Sequence, residues 1–251
     1  MSRSSMMLNV KSKSPIVEAY KTLRTNLQFA GLDKPVQVVV ISSANPTEGK
    51  TTTAANLAIS IAQSEKRVLL LDCDLRKPAI HKFFGIANSR GLTNILAENI
   101  HYQELCITAG IGNLDIITCG PKPPNPSELL GSSRMAAFLE WIRQDYDMIV
   151  IDSPPVLPVT DAAVLSRIVD GIILVLGCGT TTVEMAVRAK DNIEKVGGRI
   201  IGTVINNIPT KGNGYYYYNY YYYYYDSDST GKTKRRRRKE HTGDTSTTAS
   251  V

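Results

Sequence analysis

The chain has 251 residues, 43% of them hydrophobic and 21% charged, enough for one α/β domain with a tail or at most two small domains, and a single domain is expected. The formal charge of +6 is unevenly placed: residues 211–251 hold eight Lys/Arg against four Asp/Glu, so they contribute +4 and residues 1–210 only +2, which argues against a basic DNA-binding face and against a specific nucleic-acid partner. Cys73, Cys106, Cys119 and Cys178 form no CxxC pair, no apolar run approaches the roughly eighteen residues of a membrane span, and residues 1–13 lack the apolar stretch of a signal peptide; a soluble chain with reduced thiols is expected.

In chain order, residues 14–29 predict a separate helix, with Ser14 as its cap, Pro15 at its first position, and Ile16, Ala19, Tyr20, Leu23 and Leu27 on one face. Six apolar, β-branched runs follow at 36–41, 68–71, 114–118, 148–151, 172–176 and 200–205, and each reads as a strand covered on both faces. Helices are expected between them at 51–64, 133–145, 162–169 and 183–196. The repeated βα pattern implies a doubly wound α/β fold around a mostly parallel sheet. Composition changes after Asn206: ten tyrosines broken only by Asn219 occupy 215–225, and a basic run occupies 234–239. The expected organisation is therefore an N-terminal segment with a docking helix (1–35), a folded domain (36–209) and a flexible, low-complexity tail (210–251).

After the first strand, Ala44, Asn45, Pro46, Thr47, Glu48, Gly49, Lys50, Thr51 and Thr52 have the spacing of a P-loop, with alanine in place of the usual first glycine. In such a loop the backbone N–H groups and the following helix N-terminus cradle phosphate, Lys50 neutralises β- and γ-phosphates, and the Thr51 hydroxyl ligates Mg²⁺ of a Mg²⁺-nucleoside triphosphate. A P-loop NTPase type of sheet follows. The loop alone serves ATPases, GTPases and kinases alike. Two strands then deliver Asp72, Asp74 and Arg76, and Asp152 before Ser-Pro-Pro, to the carboxyl edge of the sheet, where ligands of open parallel sheets bind. Asp72 and Asp74 point the same way if the strand continues through both. One carboxylate then helps hold metal while the other accepts the proton of an attacking hydroxyl; helix capping or a turn is the competing reading of Asp152.

The P-loop in the form Ser-Ser-x-x-Pro-x-Glu-Gly-Lys-Thr, the motif Leu-Leu-Leu-Asp72-x-Asp74-Leu-Arg76, Ile-Asp152-Ser-Pro-Pro, the segment 120–130 reading Gly-Pro-Lys-Pro-Pro-Asn-Pro-Ser-Glu-Leu-Leu, and the tyrosine-rich end together resemble the bacterial tyrosine kinases, specifically the cytoplasmic kinase subunit of Gram-positive capsule and exopolysaccharide systems. The resemblance extends over most of residues 14–225. It implies an ATP- and Mg²⁺-dependent kinase that works with a membrane-embedded activator, phosphorylates its own tyrosine cluster and is opposed by a cognate phosphotyrosine phosphatase. It implies a cytoplasmic protein recruited to the inner face of the membrane. By position, Lys50 contacts phosphates, Thr51, Asp74 and Asp152 support the metal, Asp72 is the candidate base, and Arg76 joins Lys50 and Asp72 as a catalytic candidate. The family's Glu-x-x-Arg-x-x-Arg pattern, used in ring-like self-association, reads Glu18-x-x-Lys21-x-x-Arg24 here, which keeps the charge but loses one planar fork.

The acceptors implied are Tyr215, Tyr216, Tyr217, Tyr218, Tyr220, Tyr221, Tyr222, Tyr223, Tyr224 and Tyr225. A phenol with a pKa of about 10 is a poor nucleophile at neutral pH, so transfer to it benefits from in-line geometry and a positioned carboxylate. Read alone, the tract is equally an adhesive segment or a stacking platform for bases. Two other readings of the chain stand beside the kinase. A P-loop ATPase switch usually carries a second lysine early in the loop, where this chain has Asn45, and it gives no reason for the tyrosines. A nucleotide-sensing scaffold would assemble around ATP with tyrosine transfer incidental. Asn206 and Asn207 are possible base contacts, and His81 and His101 have no metal-ligand spacing.

Overall fold

A computed structural model describes residues 14–31, 36–98 and 100–209. The tyrosine tract and the basic run lie outside the described residues.

Seven strands form one sheet: β1 (Val38–Ser43), β2 (Val68–Asp72), β3 (Ile107–Thr108), β4 (Leu114–Ile117), β5 (Met148–Asp152), β6 (Gly171–Gly177) and β7 (Ile200–Asn206). Their order is β3-β4-β2-β5-β1-β6-β7. Every pairing is parallel except β3 with β4. Around the sheet lie α1 (Pro15–Ala30), α2 (Lys50–Ala62), α3 (Ile80–Phe84), α4 (Leu92–Glu98), α5 (Pro126–Leu130), α6 (Ser133–Ile142), α7 (Asp161–Leu165) and α8 (Val183–Glu194). The doubly wound reading holds, because β5 and β6 flank β1 on opposite sides and leave a crevice at its carboxyl end.

Side-chain alternation along the strands divides the core in two. Val38, Val40, Leu69, Leu71, Ile149 and Ile151 pack with Phe138, Leu139, Leu165 and Ile193. Val39, Ile41, Leu70 and Val150 pack with α2 and with Val17 and Leu27 of α1. Residues Thr53 through Ala62 of α2 are all buried, since the sheet covers one side and α1 the other; its small Ala54, Ala55, Ala58 and Ala62 let both approach closely.

Some local expectations change. Pro15 occupies the first turn of α1 as predicted, but Ser14 makes no side-chain capping bond, and only its carbonyl accepts from Glu18 N–H, at 3.2 Å. The run at 200–205 is not a doubly covered strand: β7 is an edge, with Gly202, Thr203 and Ile205 exposed. An apolar run alone carries no information about which strand closes a sheet. The helix expected at 162–169 stops at Leu165. The elements β3, α3, α4 and α5 were not expected, each being too short for a periodic signal.

Candidate active site

The P-loop leaves β1 at Ser43 and enters α2 at Lys50. Two of its residues take left-handed backbone angles, Thr47 at φ 65° and Gly49 at φ 95°. A Cβ on Gly49 would lie 2.0 Å from Asn206 Nδ2, so glycine is required by both conformation and space. Asn206, at the end of β7, donates its amide to the Glu48 carbonyl at 2.9 Å. The possible base contact therefore serves as a brace for the loop.

Glu48 is 3% exposed and turns its carboxylate inward. It accepts from Asn45 N–H at 3.0 Å and from Asn45 Nδ2 at 3.3 Å, and it also accepts from the Thr181 hydroxyl. Gly177 N–H donates to that hydroxyl at 2.9 Å. Thus the side chains of Asn45 and Glu48, both expected to bind nucleotide, hold the loop in shape. Ser43 Oγ adds a bond to the Asn45 carbonyl at 2.7 Å. Contacts from Thr181 and Asn206 lie more than a hundred residues from the loop, so no local pattern announced them.

Lys50 closes the loop beside the carboxylates. Its Nζ lies 2.8 Å from Asp74 Oδ2, 4.0 Å from Asp152 Oδ1 and 3.4 Å from Thr51 Oγ1. Burial alone would lower its pKa, but Asp152, Asp74 and Asp72 outweigh burial and raise it. Asp72 and Asp152 end adjacent strands in direct register, and both are fully buried. Burial is the main cause raising both carboxyls. Asp152 and Asp74 raise Asp72 further, against the N–H groups of Ile80 and Asp74. For Asp152, Lys50 and the Thr51 hydroxyl oppose burial.

The strand stops at Asp72, so the alternation expected to align Asp72 with Asp74 does not extend to Asp74. Asp72 accepts from Asp74 N–H at 3.2 Å and Ile80 N–H at 3.1 Å. Asp74 instead reaches Lys50 and accepts from Lys77 N–H at 2.9 Å. Arg76, expected to be catalytic, directs its guanidinium elsewhere: Nε and Nη2 form a fork on buried Asp161 at 2.9 Å each, and Nη2 reaches Ser127 Oγ at 3.0 Å. That fork ties the segment after β2 to the starts of α5 and α7.

Both Asp152 oxygens are buried without a hydrogen-bond partner, which suits a cation more than a capping role; the cap position of α7 is Thr160. Among the described residues no three His, Cys, Asp or Glu side chains form a closed metal cage. Mg²⁺ needs none, because it usually takes one or two protein oxygens and completes its shell with phosphate and water. Thr51 and Asp152 fit that limited role. Along α1, Lys21 pairs with Glu18 at 2.7 Å on the exposed side, whereas Arg24 donates inward to the Ser60 carbonyl of α2 at 2.7 Å. The three residues of the expected association motif are thus split between surface and body. No helix among the described residues is long and apolar enough to cross a membrane.

The chain is similar to known proteins over most of its folded domain. A family model described as an AAA domain matches residues 36–200. The chain is 42% identical over 194 residues to the tyrosine-protein kinase YwqD of Bacillus subtilis (strain 168), covering 77% of this chain and 82% of that protein. The crystal structure of the chimerical protein CapA2B2 matches with a TM-score of 0.78 and 37% identity, covering 83% of this chain and 92% of that one. The kinase domain of the Escherichia coli tyrosine kinase ETK matches with a TM-score of 0.72 and 38% identity, over 78% of this chain and 79% of that one.

Proposed function

This chain belongs to the bacterial tyrosine-protein kinase family, and we propose from that premise that it transfers the γ-phosphoryl group of ATP to tyrosines of its own 215–225 tract. The observation that carries the reading is the convergence of Lys50, Asp72, Asp74 and Asp152 at the mouth of a braced P-loop. A switch ATPase would use the same carboxylates on water; the tyrosine tract, and Asn45 where such an ATPase usually carries a second lysine, favour the kinase.

The loop amides and the N-terminus of α2 bind the phosphates. Lys50 moves from Asp74 onto the phosphate oxygens, a short swing for a long, flexible side chain. Thr51 and Asp152 hold Mg²⁺, which when bound neutralises charge on the β- and γ-phosphate oxygens. Asp72 takes the phenolic proton as the tyrosine oxygen bonds to phosphorus and the bond to the ADP oxygen breaks. Burial and Asp152 raise its pKa to about 8, so it is a stronger base than an exposed aspartate but is largely protonated at neutral pH until a bound cation lowers that pKa. Arg76 acts through its fork with Asp161, fixing the segment that carries Asp72 and Asp74.

The wider role is read from the resemblance: control of capsular or exopolysaccharide synthesis from the inner face of the membrane, with a membrane-embedded activator and a phosphotyrosine phosphatase that resets the tract. Self-association uses the exposed Glu18–Lys21 side of α1, with Arg24 committed to α2. Each phosphotyrosine adds about −1.5 to −2 charges, so phosphorylation weakens contact between copies. Purified chain, incubated with labelled ATP, Mg²⁺ and the activator's cytoplasmic segment, should carry label on its tail in the wild type and lose it in Lys50→Met and Asp72→Ala. Release of free phosphate with no labelled protein would favour the switch reading; nucleotide binding with neither product would favour the scaffold.

A further inference from the structure

The end of β4 and the start of α4 are bound together beside the carboxylates. Leu92 and Thr93 N–H donate to the carbonyls of Thr118 and Cys119 at 2.8 and 3.0 Å. The approach is close enough that a Cβ on Gly91 would lie 2.1 Å from the Thr118 carbonyl oxygen. Ile117 pairs with Leu71 across the sheet, so Thr118 and Cys119 emerge at the same edge as Asp72.

A cleft of about 480 Å³ opens there, walled by α4, the proline-rich segment 121–125 and α5, within the size range of ligand sites. Three features define its chemistry. Prolines at 121, 123 and 124 with Ala97 and Leu129 give it apolar walls. Thr93, only 5% exposed, contributes to its floor, with its hydroxyl buried on the side of Gly120. Its charges are Lys122 against Glu98 and Glu128, each glutamate held by an amide, from Asn94 at 2.7 Å and from Asn125 at 3.0 Å.

We propose that this cleft is a recognition subsite for an unphosphorylated tyrosine side chain that neighbours the acceptor tyrosine in the same peptide. The inference rests on the kinase reading. A phenol fits the lining: its ring packs on proline, and its hydroxyl, at the mouth among Lys122, Glu98 and Glu128, donates to a carboxylate. A phosphorylated ring is rejected by the two glutamates, which outnumber the single lysine. The occupant is the 215–225 tract, in which every tyrosine has another beside it. Phosphorylation of the tract is then self-limiting, because each transfer removes a docking side chain for the tyrosines still to react.

The test uses the full-length chain with its ten tail tyrosines changed to serine, so that acceptors are supplied in trans. The acceptors are a peptide of residues 212–220 and the same peptide keeping a single tyrosine. The multi-tyrosine peptide should have the lower KM. Ala97→Trp, at an exposed wall position, should raise that KM at least about tenfold, as blocking an aromatic anchor does. KM for ATP should stay unchanged and the difference between the peptides should vanish. Wild-type KM for the multi-tyrosine peptide in Ala97→Trp overturns the subsite while leaving the kinase reading standing. If the unplugged chain hydrolyses ATP but labels neither peptide, the kinase reading fails instead. Fluorescent-peptide binding then decides the subsite: binding that Ala97→Trp abolishes supports it, and no binding overturns it.

Discussion

Replacing Asp152 by asparagine should stabilise the nucleotide-free protein, although the residue belongs to the proposed active site. Burial raises this carboxyl from 3.8 to about 6 although Lys50 and the nearby Thr51 hydroxyl oppose it, and no hydrogen bond of normal geometry reaches either oxygen. A carboxylate whose folded pKa lies above its unfolded value prefers to be protonated when folded. Its ionisation therefore costs nothing well below the unfolded pKa; the cost grows as pH rises toward the folded pKa and is constant above it. At 1.36 kcal/mol per pK unit the penalty at neutral pH is on the order of 1–3 kcal/mol. Asparagine keeps the shape and removes the charge. In a chain of this size the gain corresponds to a rise in Tm of about 3–10 °C. Thermal unfolding without divalent cations, followed at about pH 3 and pH 8, reads it: the Asp152→Asn advantage should be near zero at the acid end and full at the alkaline end. The same variant should lose the extra stabilisation that Mg²⁺-ATP gives the wild type. A variant less stable than wild type at pH 8, or equally favoured at both pH values, would refute the reasoning.

Gly49→Ala adds a Cβ that meets Asn206 Nδ2 at 2.0 Å where φ is 95°. Strain of about 1–3 kcal/mol and a lost brace of about 1 kcal/mol should weaken fluorescent-nucleotide binding about 30- to 900-fold if both fall on the bound loop, and unchanged affinity would contradict this account of the loop. Arg76→Met leaves the Asp161 carboxylate buried without its cation and should cost about 1–3 kcal/mol in urea unfolding. Arg76→Lys should recover only part of that, because an ammonium cannot reproduce the fork. Full recovery by lysine would show that charge alone suffices.

Much of the fold was legible because its signals are local and long enough to repeat. The strands at β1, β2, β5 and β6 are dense apolar runs, and α1, α2, α6 and α8 carry enough turns to show their periodicity. The P-loop was legible for a different reason, since its chemistry fixes residue types at fixed spacing. What stayed hidden depends on long-range partners. The Asp161 fork on Arg76 spans 85 residues and the Thr181 bond to Glu48 spans 133, so sequence alone named Arg76 a catalytic candidate and Glu48 a loop residue without showing what either side chain holds. The exposure of β7 was hidden because edge position is a property of the assembled sheet. Ser127 was visible within the 120–130 motif, yet its bond to Asp161 at 2.7 Å was not. The cleft lined by Thr93 had no sequence signal beyond its prolines.

The kinase reading is tested most directly by mapping phosphate on the full-length chain after incubation with Mg²⁺-ATP and the activator's cytoplasmic segment. Mass spectrometry should find phosphotyrosine within residues 215–225 of the wild type and none there in Asp72→Ala, with fluorescent-nucleotide binding by that variant measured alongside. An unmodified wild-type tract, or equal phosphorylation in Asp72→Ala, would contradict it.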